Sequence, residues 1–174
     1  FWAYEVLGWG GYWGWDPVEN SSLVPWLVLL ALTHGLIVQR SRGSLVRTNM
    51  FLAILSFLLV LYATFLTRSG VLADFSVHSF VDLGINNYLI GALVLATALG
   101  FGMFATRFSS VTGQKLEIKS LNRELTLLLS IYVLMAGAVF TFAGMSSPIL
   151  TGLVGKASQV DISFYNKVNL PVAI

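Results

Sequence analysis

Apolar positions in this chain are gathered into four long runs, Leu23–Val38, Met50–Leu66, Tyr88–Thr106 and Leu125–Met145, of 16, 17, 19 and 21 residues. None of them contains Asp, Glu, Lys or Arg. A helix needs about 20 apolar residues to cross a hydrocarbon core of about 30 Å. The pattern therefore predicts four transmembrane helices, at about 23–38, 50–66, 88–106 and 125–145. The first run is a little short, and Ser21-Ser22 and Gln39 are able to extend its helix at either end. The expected class is all-α integral membrane: an outward-facing Trp-rich segment over 1–22, a four-helix region over 23–145 and an outer C-terminal segment over 146–174.

The polar positions set the orientation. Arg40, Arg42 and Arg47 lie between the first two runs, and Arg107, Lys115, Lys119 and Arg123 between the third and fourth. Lys and Arg favour the cytoplasmic side of a membrane, so these two loops are expected to face the cytoplasm or an equivalent inner compartment. The Trp-rich segment, the 67–87 loop and the tail then face the other side. Composition agrees, with 56% hydrophobic and 10% charged residues and a mean hydropathy of +0.80. The formal charge of +2 gives no reason to expect nucleic acid, because the basic residues sit where membrane topology wants them. With no cysteine in the chain, disulfides and thiolate metal sites are excluded, and any reacting thiol belongs to a partner. Phe1 opens inside aromatic sequence with neither an initiator Met nor a signal-peptide pattern, so the chain reads as part of a longer polytopic protein.

The stretch Trp9-Gly10-Gly11-Tyr12-Trp13-Gly14-Trp15 puts three Trp, a Tyr and three Gly into seven residues. Composition alone favours an interfacial aromatic belt, because Trp and Tyr concentrate at headgroup depth. Two details weigh against that. A belt scatters its aromatics, and it does not need glycine, which costs backbone entropy and is kept where something approaches closely. Asp16-Pro17 then imposes an ordered turn. Asp16 and Glu19 read as turn and capping groups, with Asn20, Ser21 or Ser22 available to cap the following helix.

Two histidines are present. His34 lies 11 residues into the first apolar run, about 16 Å from Leu23. An ionisable group near the middle of the hydrocarbon is a functional-site hypothesis by default. A neutral imidazole hydrogen-bonded across the bundle, to Thr33, Thr64 or another helix, is an equal alternative. Neutral imidazole is also the form that ligates metal, including haem iron. His78 sits in the outer loop, where a lone histidine is usually a solvated side chain, although functional residues favour loops. The two differ in depth and are poor candidates for one iron. If both bind haem, two haems are implied, each taking its second ligand from outside these residues. Arg68, at the end of the second run, reads either as a snorkelling arginine or as a partner for an anionic ligand group.

The run from Trp9 to Asn20 resembles the tryptophan-rich WWD signature of haem-handling cytochrome c biogenesis proteins. Its Asp-Pro-Val-Glu-Asn ending, followed by Pro25-Trp26 and His34, is most similar to the CcmF branch of the CcmF/CcsA family. Thr64-Phe65-Leu66-Thr67-Arg68-Ser69-Gly70-Val71-Leu72 and Ser76-Val77-His78-Ser79-Phe80 are similar as well. The third and fourth runs match in hydropathy only, and Phe164-Tyr165-Asn166 loosely resembles a family segment that follows the fourth helix. Tyr12 stands where many members carry Trp.

The resemblance implies haem handling in cytochrome c biogenesis, as a haem lyase (cytochrome c synthetase) subunit. His34 matches an iron ligand of an intramembrane haem b, and His78 a ligand of a second haem in transit. The travelling haem would lie against Trp9, Gly10, Gly11, Trp13, Trp15 and Asp16, with Arg68 pairing a propionate. No catalytic acid–base pair is implied. Implied partners are membrane lipid, apocytochrome c, a CcmE-like haem chaperone and CcmH/CcmI-like lyase subunits. The implied location is the bacterial inner membrane, with the Trp-rich segment facing the periplasm, in preference to the mitochondrial inner membrane. The rival readings are a haem carrier of the same family without ligase activity, and a structural membrane scaffold without cofactor.

Overall fold

A computed structural model describes residues 1–6, 12–117 and 122–173 of the chain. The described residues form seven helices and no strand: α1 (Trp2–Val6), α2 (Pro17–Arg42), α3 (Val46–Arg68), α4 (Asn86–Arg107), α5 (Arg123–Met145), α6 (Ser147–Val154) and α7 (Ile162–Ala173). Four of them, α2 to α5, are long and apolar enough to cross a membrane, as the four runs predict. Each is longer than its apolar run, because polar residues complete the helix ends.

The largest extension is at the start of α2. The helix begins at Pro17, six residues before Leu23, and its cap is Asp16, not Asn20, Ser21 or Ser22. The Asp16 side chain accepts from the Val18 and Glu19 backbone N–H groups, and Glu19 reaches back to the Asp16 N–H. This reciprocal capping box satisfies donors that a helix start leaves open. Pro17 fits the first helical position, where no N–H is needed. The three residues expected to cap are inside the helix instead. Ser21 and Ser22 donate to Val18 O and Glu19 O, and Asn20 donates its amide to Trp15 O. At the other end Gly43, in the left-handed region (φ 65°), donates to Gln39 O and stops the helix.

α2 is the central element, packed along both α3 and α5. Its Val24, Leu27, Val28 and Ala31 meet Leu52, Leu59 and Leu66 of α3 and Ile131, Ala138 and Met145 of α5 in one buried cluster. Close approach of α2 and α3 depends on Gly35, since a Cβ there would collide with the Asn49 side chain. Buried Asn49 in turn donates to Gln39 Oε1 at 2.7 Å. A small residue opposite a polar one is a common helix contact in membranes. α4 packs on α3, with Gly100 facing Ile54 and Phe101 facing Phe51.

Arginine ties one end of the bundle together. Arg42 Nε meets Glu124 Oε1 at 2.9 Å, joining the end of α2 to the start of α5. Arg47 donates to Val111 O and lies 4.3 Å over the Phe108 ring. At the opposite end α7 runs back along α5. Tyr165 lies on Gly144, and Asn169 is hydrogen-bonded to Thr141. This end also holds the Trp-rich turn and the loop after α3.

Candidate functional site

The Trp-rich turn is built around Trp15. Its backbone is in the left-handed region (φ 54°), which costs a bulky residue on the order of 1–3 kcal/mol. Three interactions hold it there. The indole Nε1 donates to Asn166 Oδ1 at 2.7 Å, the ring stacks on Tyr165 at 5.5 Å and 5° between planes, and the carbonyl accepts from Asn20. Glu19 fixes the neighbouring backbone by accepting from Gly14 N at 2.8 Å.

Tyr165 is itself buried against Gly144. Burial pushes its phenol up to about 12, with a hydrogen bond to the Asn20 side chain opposing and the nearby Asp16 charge adding to the rise. The turn is thus fastened to α2 by its cap and to α7 by an aromatic stack.

The loop after α3 closes over the same cap. Ser76 Oγ donates to Asp16 Oδ1 at 2.7 Å and accepts from the His78 backbone N–H at 3.1 Å. His78 Nδ1 lies 3.4 Å from Asp16 Oδ1, and its Nε2 lies 3.9 Å from Glu19 Oε1. The three side chains are only 14–18% exposed. The expected solvated histidine is therefore a half-buried one set between two carboxylates. Two residues on, Phe80 N donates to Thr67 O, and the Arg68 guanidinium sits 4.5 Å over the Phe80 ring. Arg68 also borders a groove of about 610 Å³ between α2 and α3, walled by Pro25, Trp26, Leu29, Val60 and Thr64.

His34 is separate from this cluster. It lies 17 residues after Pro17 and 8 before Arg42, about 26 Å and about 12 Å along the axis. Along α2 it therefore lies nearer the arginine end than the Trp-rich end. Its Nδ1 is 2.7 Å from Leu30 O, and a carbonyl only accepts, so the proton of that contact is on Nδ1. In the neutral tautomer that this bond selects, Nε2 is the lone-pair nitrogen, the arrangement a metal-ligating histidine needs. At helical spacing His34 continues the line of Leu27, Ala31 and Val38, yet it stays partly exposed where those three are buried. A partly exposed imidazole whose Nδ1 is bonded to its own helix leaves Nε2 as the atom that could ligate a metal. Its hydrogen bond is to its own helix, not to Thr33, Thr64 or another helix.

Trp9, Gly10 and Gly11 lie outside the described residues. Of the other expected site residues, Trp13, Trp15, Asp16, Arg68 and His78 share one end of the bundle. Trp15 has one face covered by Tyr165. Trp13, set perpendicular to it at 6.0 Å, is 37% exposed, and Tyr12 is 93% exposed. Ser76, Tyr165 and Asn166 were not among the expected site residues. Only resemblance hinted at them, through Phe164-Tyr165-Asn166 for the last two and Ser76-Val77-His78-Ser79-Phe80 for Ser76.

The family model described as cytochrome C assembly protein matches residues 1–72. The chain is 40% identical over 174 residues to the cytochrome c-type biogenesis protein CcmF of Pseudomonas aeruginosa, covering 99% of this chain and 26% of that protein. It is 38% identical over 172 residues to CcmF of Haemophilus influenzae, covering 98% and 26%. To the probable biogenesis protein NrfE of Escherichia coli it is 34% identical over 176 residues, covering 100% and 31%. A solved structure of cytochrome c haem lyase CcmF superposes with a TM-score of 0.67 at 30% identity, covering 99% of this chain and 24% of that one. The similarity extends well beyond the motifs found between Trp9 and Phe80. The chain spans about a quarter of the length of the curated relatives it matches.

Proposed function

The chain belongs to the CcmF-type family of cytochrome c-type biogenesis proteins, and from that premise we propose that its aromatic end receives haem and presents it to apocytochrome c. One observation carries this reading. The single histidine of the outer loop and the Trp-rich turn, about 60 residues apart in sequence, meet on one capping carboxylate. An interfacial belt or a plain scaffold gives no reason for that convergence.

In this reading haem is cargo. His78 offers an imidazole nitrogen to the iron, Tyr12 and Trp13 flank the macrocycle, and Arg68, held beside the loop by Phe80, faces a propionate. Trp15 acts differently from its neighbours: stacked on Tyr165, it fixes the turn that carries them. The chain contributes orientation, and the bond chemistry belongs to the cargo and its acceptor. Each apocytochrome thiol S–H adds across a vinyl C=C, forming one C–S bond and placing hydrogen on the other vinyl carbon. The thiols come from the acceptor, since this chain has no cysteine.

His34 is the residue that would hold an intramembrane haem b, its Nδ1 anchored on Leu30 O and Nε2 being the nitrogen that would serve as ligand. When bound, such a group would supply one-electron exchange. We assign the aromatic end to the periplasmic side, with lyase partners and a haem chaperone meeting it there.

The test is reconstitution of the complete protein with apocytochrome c and haem-loaded chaperone. Covalent c-type product is expected. Haem binding with no covalent product would make the protein a carrier.

A further inference from the structure

We propose that Asp16 is a positioning residue for His78: the carboxylate that caps α2 also orients the loop imidazole that meets haem iron. The inference rests on the haem-handling reading and deepens it at one atom. Asp16 Oδ1 is a shared acceptor. It takes the Val18 N–H at 2.8 Å, the Glu19 N–H at 3.3 Å and the Ser76 hydroxyl at 2.7 Å, and it faces His78 Nδ1 at 3.4 Å.

The first two interactions are explained by helix capping. The other two are not, because a cap needs nothing from a loop 60 residues away. Ser76 closes the link a second time by accepting from the His78 backbone, so ring and backbone of His78 are referred to the same carboxylate.

The geometry selects one ring nitrogen. Asp16 is the nearer carboxylate and faces Nδ1. Glu19 is 3.9 Å from Nε2, and its other oxygen is spent on Gly14 N and Asp16 N. A carboxylate on Nδ1 fixes ring orientation and strengthens Nε2 as a ligand, the usual arrangement behind a metal-bound histidine. At 3.4 Å the contact is longer than a formed N–H···O bond. It tightens when iron fixes the ring, as polar contacts at unliganded sites commonly do.

The capping role makes the test clean, because Asn and Ser cap helices about as well as Asp. Asp16→Asn and Asp16→Ser therefore remove the charge while keeping the start of α2. In the complete protein carrying its membrane haem, haem is titrated onto the outer site and its reduction potential is measured. Both variants are expected to weaken outer haem binding by about 10–100-fold and to raise its potential, with the membrane haem spectrum unchanged. Wild-type affinity and potential in both variants, with binding abolished by His78→Ala, would leave Asp16 as a helix cap and overturn the proposal. If His78→Ala itself leaves outer binding intact, the haem-handling reading fails first.

Discussion

Gly144 decides how deeply Tyr165 sits. A Cβ at that position would come within 2.7–2.9 Å of the Tyr165 ring and hydroxyl. Burial there holds the phenol at about 12 against an ordinary value of 10. The folded value is the higher one, so the neutral phenol belongs to the fold. Its stabilisation is fully present below pH 10 and is lost as pH rises through about 12. Gly144→Ala is expected to lift the ring, bring the phenol back toward 10 and loosen the Trp15 stack. Ultraviolet titration of the phenolate checks this; an unchanged midpoint near 12 would mean that Gly144 does not seat the ring.

Residue-scale features of this kind were unevenly legible. Asp16 and Glu19 read as turn and capping groups, but the cap of α2 was expected at Asn20, Ser21 or Ser22, and the Asp16–Glu19 capping box, although a local pattern, went unread. The partners of His78 were not legible, since Ser76 and Asp16 meet only once α3 has crossed the bundle and its loop has folded back. Tyr165 stood out only through resemblance, because one aromatic residue in a mixed segment carries no periodic signal.

Among the elements, α2 does the most. It carries the cap that holds the turn and the His78 loop at one end, His34 along its length and Arg42 at the other end. Hydropathy placed its body correctly but started it at Leu23, since the first turn, Pro17 to Asn20, is mostly polar or proline and falls outside an apolar window. That turn is helical because Asp16 and Glu19 satisfy its open N–H groups and Pro17 needs none. Packing of α2 on α3 was not legible either. The Gly35–Asn49 contact depends on a register that three residues, Gly43 to Leu45, impose through two left-handed conformations. Gly35→Ala forces Asn49 away from Gln39 and is expected to cost about 1–3 kcal/mol by overpacking. A lowered unfolding midpoint of the purified protein in detergent checks it; no shift would mean that Asn49 yields freely.

At the scale of the whole molecule, two ends do different work. One is closed by arginine contacts, Arg42 to Glu124 at the start of α5 and Arg47 to Val111 in the loop after α4. The other gathers the Trp-rich turn, the His78 loop and α7 around the start of α2. The four-span architecture was readable because an uncharged run of membrane length has few other uses. The convergence at the aromatic end was not, because hydropathy says which segments cross a membrane and nothing about how their loops meet.

The central claim is that His78 handles cargo haem at that end while His34 serves a separate haem in the span. The direct measurement is cytochrome c maturation by the complete protein carrying His78→Ala, with the membrane haem spectrum recorded on the same preparation. The account predicts loss of covalent c-type product with the membrane haem bands intact. Wild-type yield of covalent product would contradict it.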